Sequence, residues 1–122
     1  MGRPDHIVGL SMICFDANDP PSLAAFWAAL LGGTRVVDGD GDAWVELASG
    51  PRIDFLHVDD AKTQKNRLHL DIHATDVEAA TTEALALGAT RADDVYDGGR
   101  WQVLRDPEGN EFCLLPPSLS TG

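Results

Sequence analysis

Asp19-Pro20-Pro21-Ser22-Leu23-Ala24-Ala25-Phe26-Trp27-Ala28-Ala29-Leu30-Leu31-Gly32 reads as one capped helix. Asp19 is a good N-cap, Pro20 suits the first helical turn, and Gly32 suits the left-handed position that closes a helix. Leu23, Phe26, Trp27, Leu30 and Leu31 recur at helical spacing and make one apolar stripe. The same pattern returns further on, where Asp76-Val77-Glu78-Ala79-Ala80 opens a second helix and Ala84-Leu85-Ala86-Leu87-Gly88 closes it. The segments C-terminal to the two helices also match. Thr34-Arg35 answers Thr90-Arg91, Trp44 answers Trp101, and the pair Ile53 and Phe55 answers Phe112 and Leu114. Apart from small gaps the offset holds at 56 to 57 residues, which is the mark of an internal repeat.

A strand precedes each helix. Residues 7–15 place Ile7, Ile13 and Phe15 on one face and Leu10, Met12 and Cys14 on the other. Residues 67–74 place Leu68, Leu70 and Ile72 opposite Arg67, His69, Asp71 and His73. After each helix come three shorter strand candidates. They are punctuated by Gly39-Asp40-Gly41-Asp42 and Ser49-Gly50-Pro51 in the first copy, and by Asp97-Gly98-Gly99 and Asp106-Pro107-Glu108-Gly109 in the second. The order is therefore βαβββ, twice: an α+β class in which two tandem modules form a cupped, mainly antiparallel sheet with helices on its outer face. A single domain over 1–122 is expected, with module one over about 6–58, a linker at 59–66 and module two over about 67–116. The helices would bury Ile13, Phe15, Ile53, Phe55, Leu70, Ile72, Phe112 and Leu114. The opposite faces carry a mixed set and would line a trough between the modules.

Composition narrows the partners. The chain has 9 Lys and Arg against 20 Asp and Glu, a formal charge of −11, which disfavours nucleic acid and anionic membrane surfaces. No apolar run reaches the roughly 20 residues of a membrane span. Met1-Gly2-Arg3-Pro4-Asp5-His6 precedes no signal-peptide core, so a cytoplasmic location is expected. Cys14 and Cys113 form no close-spaced motif and are read as reduced structural thiols.

Several stretches together resemble the glyoxalase/bleomycin-resistance/extradiol-dioxygenase (vicinal oxygen chelate) superfamily. They are Asp19-Pro20, Phe26-Trp27, Leu31-Gly32, Lys65-Asn66-Arg67-Leu68-His69-Leu70-Asp71, Leu87-Gly88-Ala89 and Asp106-Pro107-Glu108-Gly109-Asn110-Glu111-Phe112-Cys113. The resemblance implies a cupped sheet of paired modules and a homodimer. In metal-dependent members it also implies four strand-borne ligands, usually His, Glu, His or Gln, and Glu. Carried over residue by residue, the first position is Met12 and the third is His69. The last is Cys113, and the second falls at Leu56 by the internal repeat or at Asp54 by a local match. Only His69 is a standard ligand, so no metal cofactor is expected, a divalent ion being the lesser alternative. Met12, His69 and Cys113 together also make a thioether, imidazole and thiolate set of the kind that suits copper(I).

His69-x-Asp71-x-His73 puts three polar side chains on one strand face, neighbours roughly 6–7 Å apart. The reading favoured is that Asp71 orients a histidine, with His69 and Asp71 as the catalytic pair if there is turnover. Met12, Asp54, Leu56, His73, Trp44, Trp101 and Cys113 complete the expected ligand-binding surface. Lys62, Lys65 and Arg67 are the basic cluster of an acidic chain, suited to a carboxylate or phosphate or simply solvated. The expected function is small-molecule binding without the standard metal site. The alternative is a lyase or isomerase of the lactoylglutathione-lyase type acting beside a carbonyl, with His69 as base or metal ligand.

Overall fold

The computed structural model describes residues 2–117. The chain runs β1 (Met12–Ala17), α1 (Pro20–Leu31), β2 (Thr34–Val37), β3 (Ala43–Glu46) and β4 (Arg52–His57). It repeats as β5 (Leu70–His73), α2 (Val77–Leu87), β6 (Thr90–Arg91), β7 (Gln102–Arg105) and β8 (Glu111–Leu115). The caps read from sequence are in place. Asp19 accepts from the Ser22 amide at 3.2 Å and Asp76 from the Ala79 amide at 3.1 Å, each satisfying an otherwise unpaired donor of a first turn. Gly32 and Gly88 close the helices at φ of 74° and 119°, a region in which a side chain would be strained.

Two four-stranded mixed sheets result, ordered β1-β4-β3-β2 and β5-β8-β7-β6, so the α+β architecture of two βαβββ modules is the one observed. In each sheet the first and last strands of a module pair in parallel, and the remaining pairs are antiparallel. The registers Cys14↔Asp54 and Asp71↔Cys113 are equivalent, which makes Asp54, not Leu56, the counterpart of Cys113.

Both leading strands are shorter than their apolar alternation suggests. β1 starts at Met12 because its partner starts at Arg52. Gly50-Pro51 turns away before that, and proline has no amide to donate to a ladder. Residues 7–11 therefore lack a neighbouring strand, and Ile7, Val8 and Leu10 are exposed. β5 starts at Leu70 for the same reason, its partner β8 beginning at Glu111, and Leu68 stays exposed.

Ile53, Phe55, Phe112 and Leu114 are buried as expected, and Phe15, Leu70 and Ile72 pack partly buried against them. They belong to one core with Leu23, Phe26 and Trp27 of α1, so the two modules share it. Trp27 is its centre. The ring stands edge-on to Phe15, Phe26 and Phe112, at centroid distances of 6.2, 5.3 and 4.9 Å. Its indole N–H donates to Asp106 Oδ2 at 2.9 Å, joining α1 to the β7–β8 turn of the other module. Asp106 Oδ1 accepts from the Glu108 and Asn110 amides.

Burial pushes the Asp106 carboxyl up, and the donors from Asn110, Trp27 and Glu108 oppose that rise. A folded-state pKa above the unfolded one costs stability as pH rises through it, because the folded chain must then hold a buried charge. Trp27→Phe keeps an aromatic ring but removes one donor to that charge. Urea unfolding should show a loss of about 1–3 kcal/mol, larger at pH 8 than at pH 4.

Candidate functional site

Strand alternation and the β5/β8 register bring three side chains together on the mixed face of the second sheet. His69 Nδ1 lies 2.7 Å from Asp71 Oδ1, and Cys113 Sγ lies 4.0 Å from the same nitrogen. One donor atom from each of the three falls within 4.8 Å of the others. The ionised Asp71 carboxylate only accepts, so Nδ1 carries a proton toward it and Nε2 of the neutral ring keeps a lone pair. Cys113 therefore faces the nitrogen that is already committed. That geometry does not make a thiol–imidazole relay, which needs the basic nitrogen next to sulfur. Burial pushes the Cys113 thiol up to about 11, with the negative charge of Asp71 adding to the effect. It is a neutral thiol at physiological pH. Cys113 belongs to a buried cluster with Ala92, Val103 and Leu115, on which Val95, Tyr96 and Trp101 pack. Tyr96 and Trp101 are stacked at 3.9 Å with 3° between their planes.

The first sheet gathers a separate group. Arg52 grips Asp54 through Nε and Nη2 at 2.7 and 2.8 Å, reaches Met12 Sδ from Nη2 at 3.5 Å, and lies 4.7 Å over the Trp44 ring. The Arg52 guanidinium is held charged above its ordinary value, first by its hydrogen bonds to Asp54. Trp44 Nε1 is buried with no hydrogen-bond partner among the described residues. Leu56 and His73 are both exposed, whereas Asp54, on the same strand as Leu56, and Cys113, on the strand paired with β5, are buried. Trp44 and Trp101, matched in the repeat, thus sit in unlike surroundings: one under an arginine, the other against a tyrosine.

These contacts test the four-ligand ion site. Both carboxylate oxygens of Asp54 and the sulfur of Met12 are engaged by Arg52, and Cys113 replaces a carboxylate, so a hard-donor quartet does not fit. The imidazole, carboxylate and thiol of the second sheet do converge, a set suited to a borderline ion such as Zn²⁺ with an open position.

Sequence reasoning did not foresee Arg52 or Glu111 in structural roles. Glu111 is 4% exposed and accepts from Lys62 Nζ at 3.2 Å, Arg105 Nε at 3.2 Å and the Asn66 amide at 2.8 Å. Burial raises its carboxyl, but those three donors outweigh it and hold the group below its usual range. The network pins residues 62–66 beside the cysteine cluster. The signal present in the chain was Glu111 itself, two residues before Cys113 and so on the same strand face. Alkylation should separate the two thiols. Exposed Cys14 should react with iodoacetamide at pH 8, while Cys113 should stay unmodified in the folded chain until pH approaches 11. Equal rates, read by mass spectrometry, would contradict the burial argument.

The described residues contain no helix long and apolar enough to cross a membrane. No curated protein sequence matches the chain. Among solved structures it resembles the genomically encoded fosfomycin resistance protein FosX from Listeria monocytogenes, at 23% identity and a TM-score of 0.70 over 93% of this chain and 94% of that one. A variant of that protein was solved with Mn(II) and 1S,2S-dihydroxypropylphosphonic acid, and matches at 21% identity and a TM-score of 0.68, covering 93% of each chain. A glyoxalase/bleomycin resistance protein/dioxygenase family enzyme from Burkholderia phytofirmans PsJN matches at 19% identity and 0.68, over 85% of this chain and 94% of that one. These likenesses establish the fold. The model of the glyoxalase-like domain family matches residues 12–115, nearly the whole chain, and the protein therefore belongs to that family.

Proposed function

We propose that this protein binds a small molecule on the mixed face of its second sheet, without the four-ligand metal ion of the family. The observation that carries this reading is the His69–Asp71 hydrogen bond of 2.7 Å beside Cys113. It fixes one imidazole in one tautomer and leaves Nε2 as a directed acceptor for a ligand hydroxyl or amide. The neutral Cys113 thiol and the Tyr96–Trp101 stack supply an apolar wall. Engagement of Met12 and Asp54 by Arg52 speaks against their release to an ion.

The second reading is a lyase or isomerase acting beside a carbonyl. It is favoured by the same tautomer, since an unprotonated Nε2 on a ring held through Nδ1 by a carboxylate can take a proton from carbon next to a carbonyl. His69, Asp71 and Cys113 would hold any ion present, which would polarise the carbonyl oxygen. Because His69 Nδ1 is committed to Asp71 and the Cys113 thiol keeps its proton, calorimetric titration of the untagged protein with Zn²⁺ at pH 7 should give no stoichiometric binding despite the convergence of the three groups. Tight one-to-one binding that disappears in His69→Ala would overturn the metal-free reading in favour of the second. A carbonyl-compound screen by thermal shift should then find ligands whose stabilisation is lost in His69→Ala.

The protein is further proposed to act as a cytoplasmic homodimer of single domains spanning 1–122. Val8, Leu10 and Leu68, 91%, 78% and 61% exposed, are the apolar surface that a second copy would cover. Sedimentation should give twice the chain mass, and Val8→Asp with Leu10→Asp should shift it to the monomer. A wild-type monomer at micromolar concentration would refute the assembly.

A further inference from the structure

A cleft of about 430 Å³ separates β1 from the linker between modules, within the size range of small-molecule sites. Asp16 and Asn18 stand on the β1 side, Asp60, Lys65 and Arg67 on the linker side, and Glu108 at the β7–β8 turn. The charges of this cleft are not all spent. Glu108 keeps its charge at the rim, but both of its oxygens are committed, accepting from the Asn18 and Asp19 amides at 2.6 and 2.8 Å. Asn18 is used as well, its side-chain amide donating to the carbonyls of Val58 and Asp60 and so tying the linker down. Lys62, also at the rim, is held by Glu111.

Four ions remain. Lys65 donates only to the Asn66 carbonyl, at 3.5 Å, and Arg67 has no ion-pair partner among the described residues. Among the described residues neither the Asp16 nor the Asp60 carboxylate is paired with a cation. All four side chains belong to exposed residues, so they are hydrated and charged in the free protein. The walls that carry them are nevertheless held firmly, one by the β1/β4 ladder and the other by the buried Glu111 network and Asn18. A fixed cleft with two unpaired cations and two unpaired carboxylates matches neither a simple anion nor a simple cation, because each would meet like charge opposite. It matches a molecule that carries both signs.

We propose that this cleft binds a small zwitterion with the charge pattern of an amino acid, its carboxylate on Lys65 and Arg67 and its ammonium on Asp16 and Asp60. Arginine contributes a planar two-donor fork to the carboxylate, and lysine a point charge. The site is distinct from His69, but it adjoins it. Lys65 is close enough to Cys113 for its positive charge to favour the thiolate, and Arg67 precedes His69 by two residues.

The experiment is a thermal-shift and calorimetric screen of the full chain against the twenty standard amino acids, with acetate, phosphate and methylammonium at the same concentrations. At least one amino acid should bind saturably, while the three half-ligands fail to stabilise. The Lys65→Ala/Arg67→Ala and Asp16→Asn/Asp60→Asn variants alter exposed residues and should unfold like the parent. Each should weaken the amino acid by roughly tenfold or more. His69→Ala should leave that affinity within about twofold, which separates failure of this site from failure of the His69 reading. The proposal is overturned if no amino acid binds, if acetate or phosphate binds as well as the amino acid, or if His69→Ala removes the binding.

Discussion

The indole N–H of Trp27 and the buried carboxylate of Asp106 hold the two halves of this molecule in one arrangement. Neither half buries its helix alone. Trp27 leaves α1 and enters an aromatic group to which β1 of its own module and β8 of the other both contribute, through Phe15 and Phe112. Packing of that kind is not very directional, and a hydrogen bond to a desolvated charge is. The bond selects one register of α1 against the second sheet. Glu108 reinforces it by accepting the Asn18 and Asp19 amides at the start of the same helix. The turn that Asp106 anchors leads directly into β8, which carries Glu111 and Cys113.

The run Asp106-Pro107-Glu108-Gly109-Asn110-Glu111 consequently has a structural meaning. Its acidic residues look inward rather than toward a ligand: Asp106 to α1, Glu108 to the β1–α1 junction, and Glu111 to Lys62, Arg105 and the Asn66 amide. In a chain this acidic, Asp106 and Glu111 are withdrawn from solvent and Glu108 is half-buried, and each meets several donors. Glu111 also shapes the site. By pinning the linker it sets Lys65 beside Cys113 and gives the cleft along β1 a fixed wall.

The two sheets carry different polar groups. On the first, Arg52 consumes Asp54 and Met12 and packs on Trp44. On the second, an imidazole, a carboxylate and a thiol remain together. The two repeats thus differ: an arginine ties up the polar groups of the first sheet, while three potential donor groups converge on the second. A shared fold does not settle which chemistry survives, and the side chains at equivalent register positions do.

Much of this was written in the sequence. Helix caps, apolar stripes and a 56- to 57-residue offset depend only on neighbours along the chain, and they placed both helices and the order of strands. His69 and Asp71 were legible as a pair because strand alternation is local. What lay beyond reach depends on which strand lies next to which. Strand lengths failed at residues 7–11 because pairing ends where the partner ends, not where alternation does. Cys113 joins His69 and Asp71 only through the parallel β5/β8 register, across a separation of more than forty residues. The choice of Asp54 over Leu56, and the capture of Asp54 by Arg52, likewise came from pairing with β1 and from rotamers. Local sequence determined the elements and their apolar faces, because those obey short-range periodicity. Tertiary structure alone decided which polar groups spend their charge on one another and which are left for a ligand, because that competition is settled by contacts across the core.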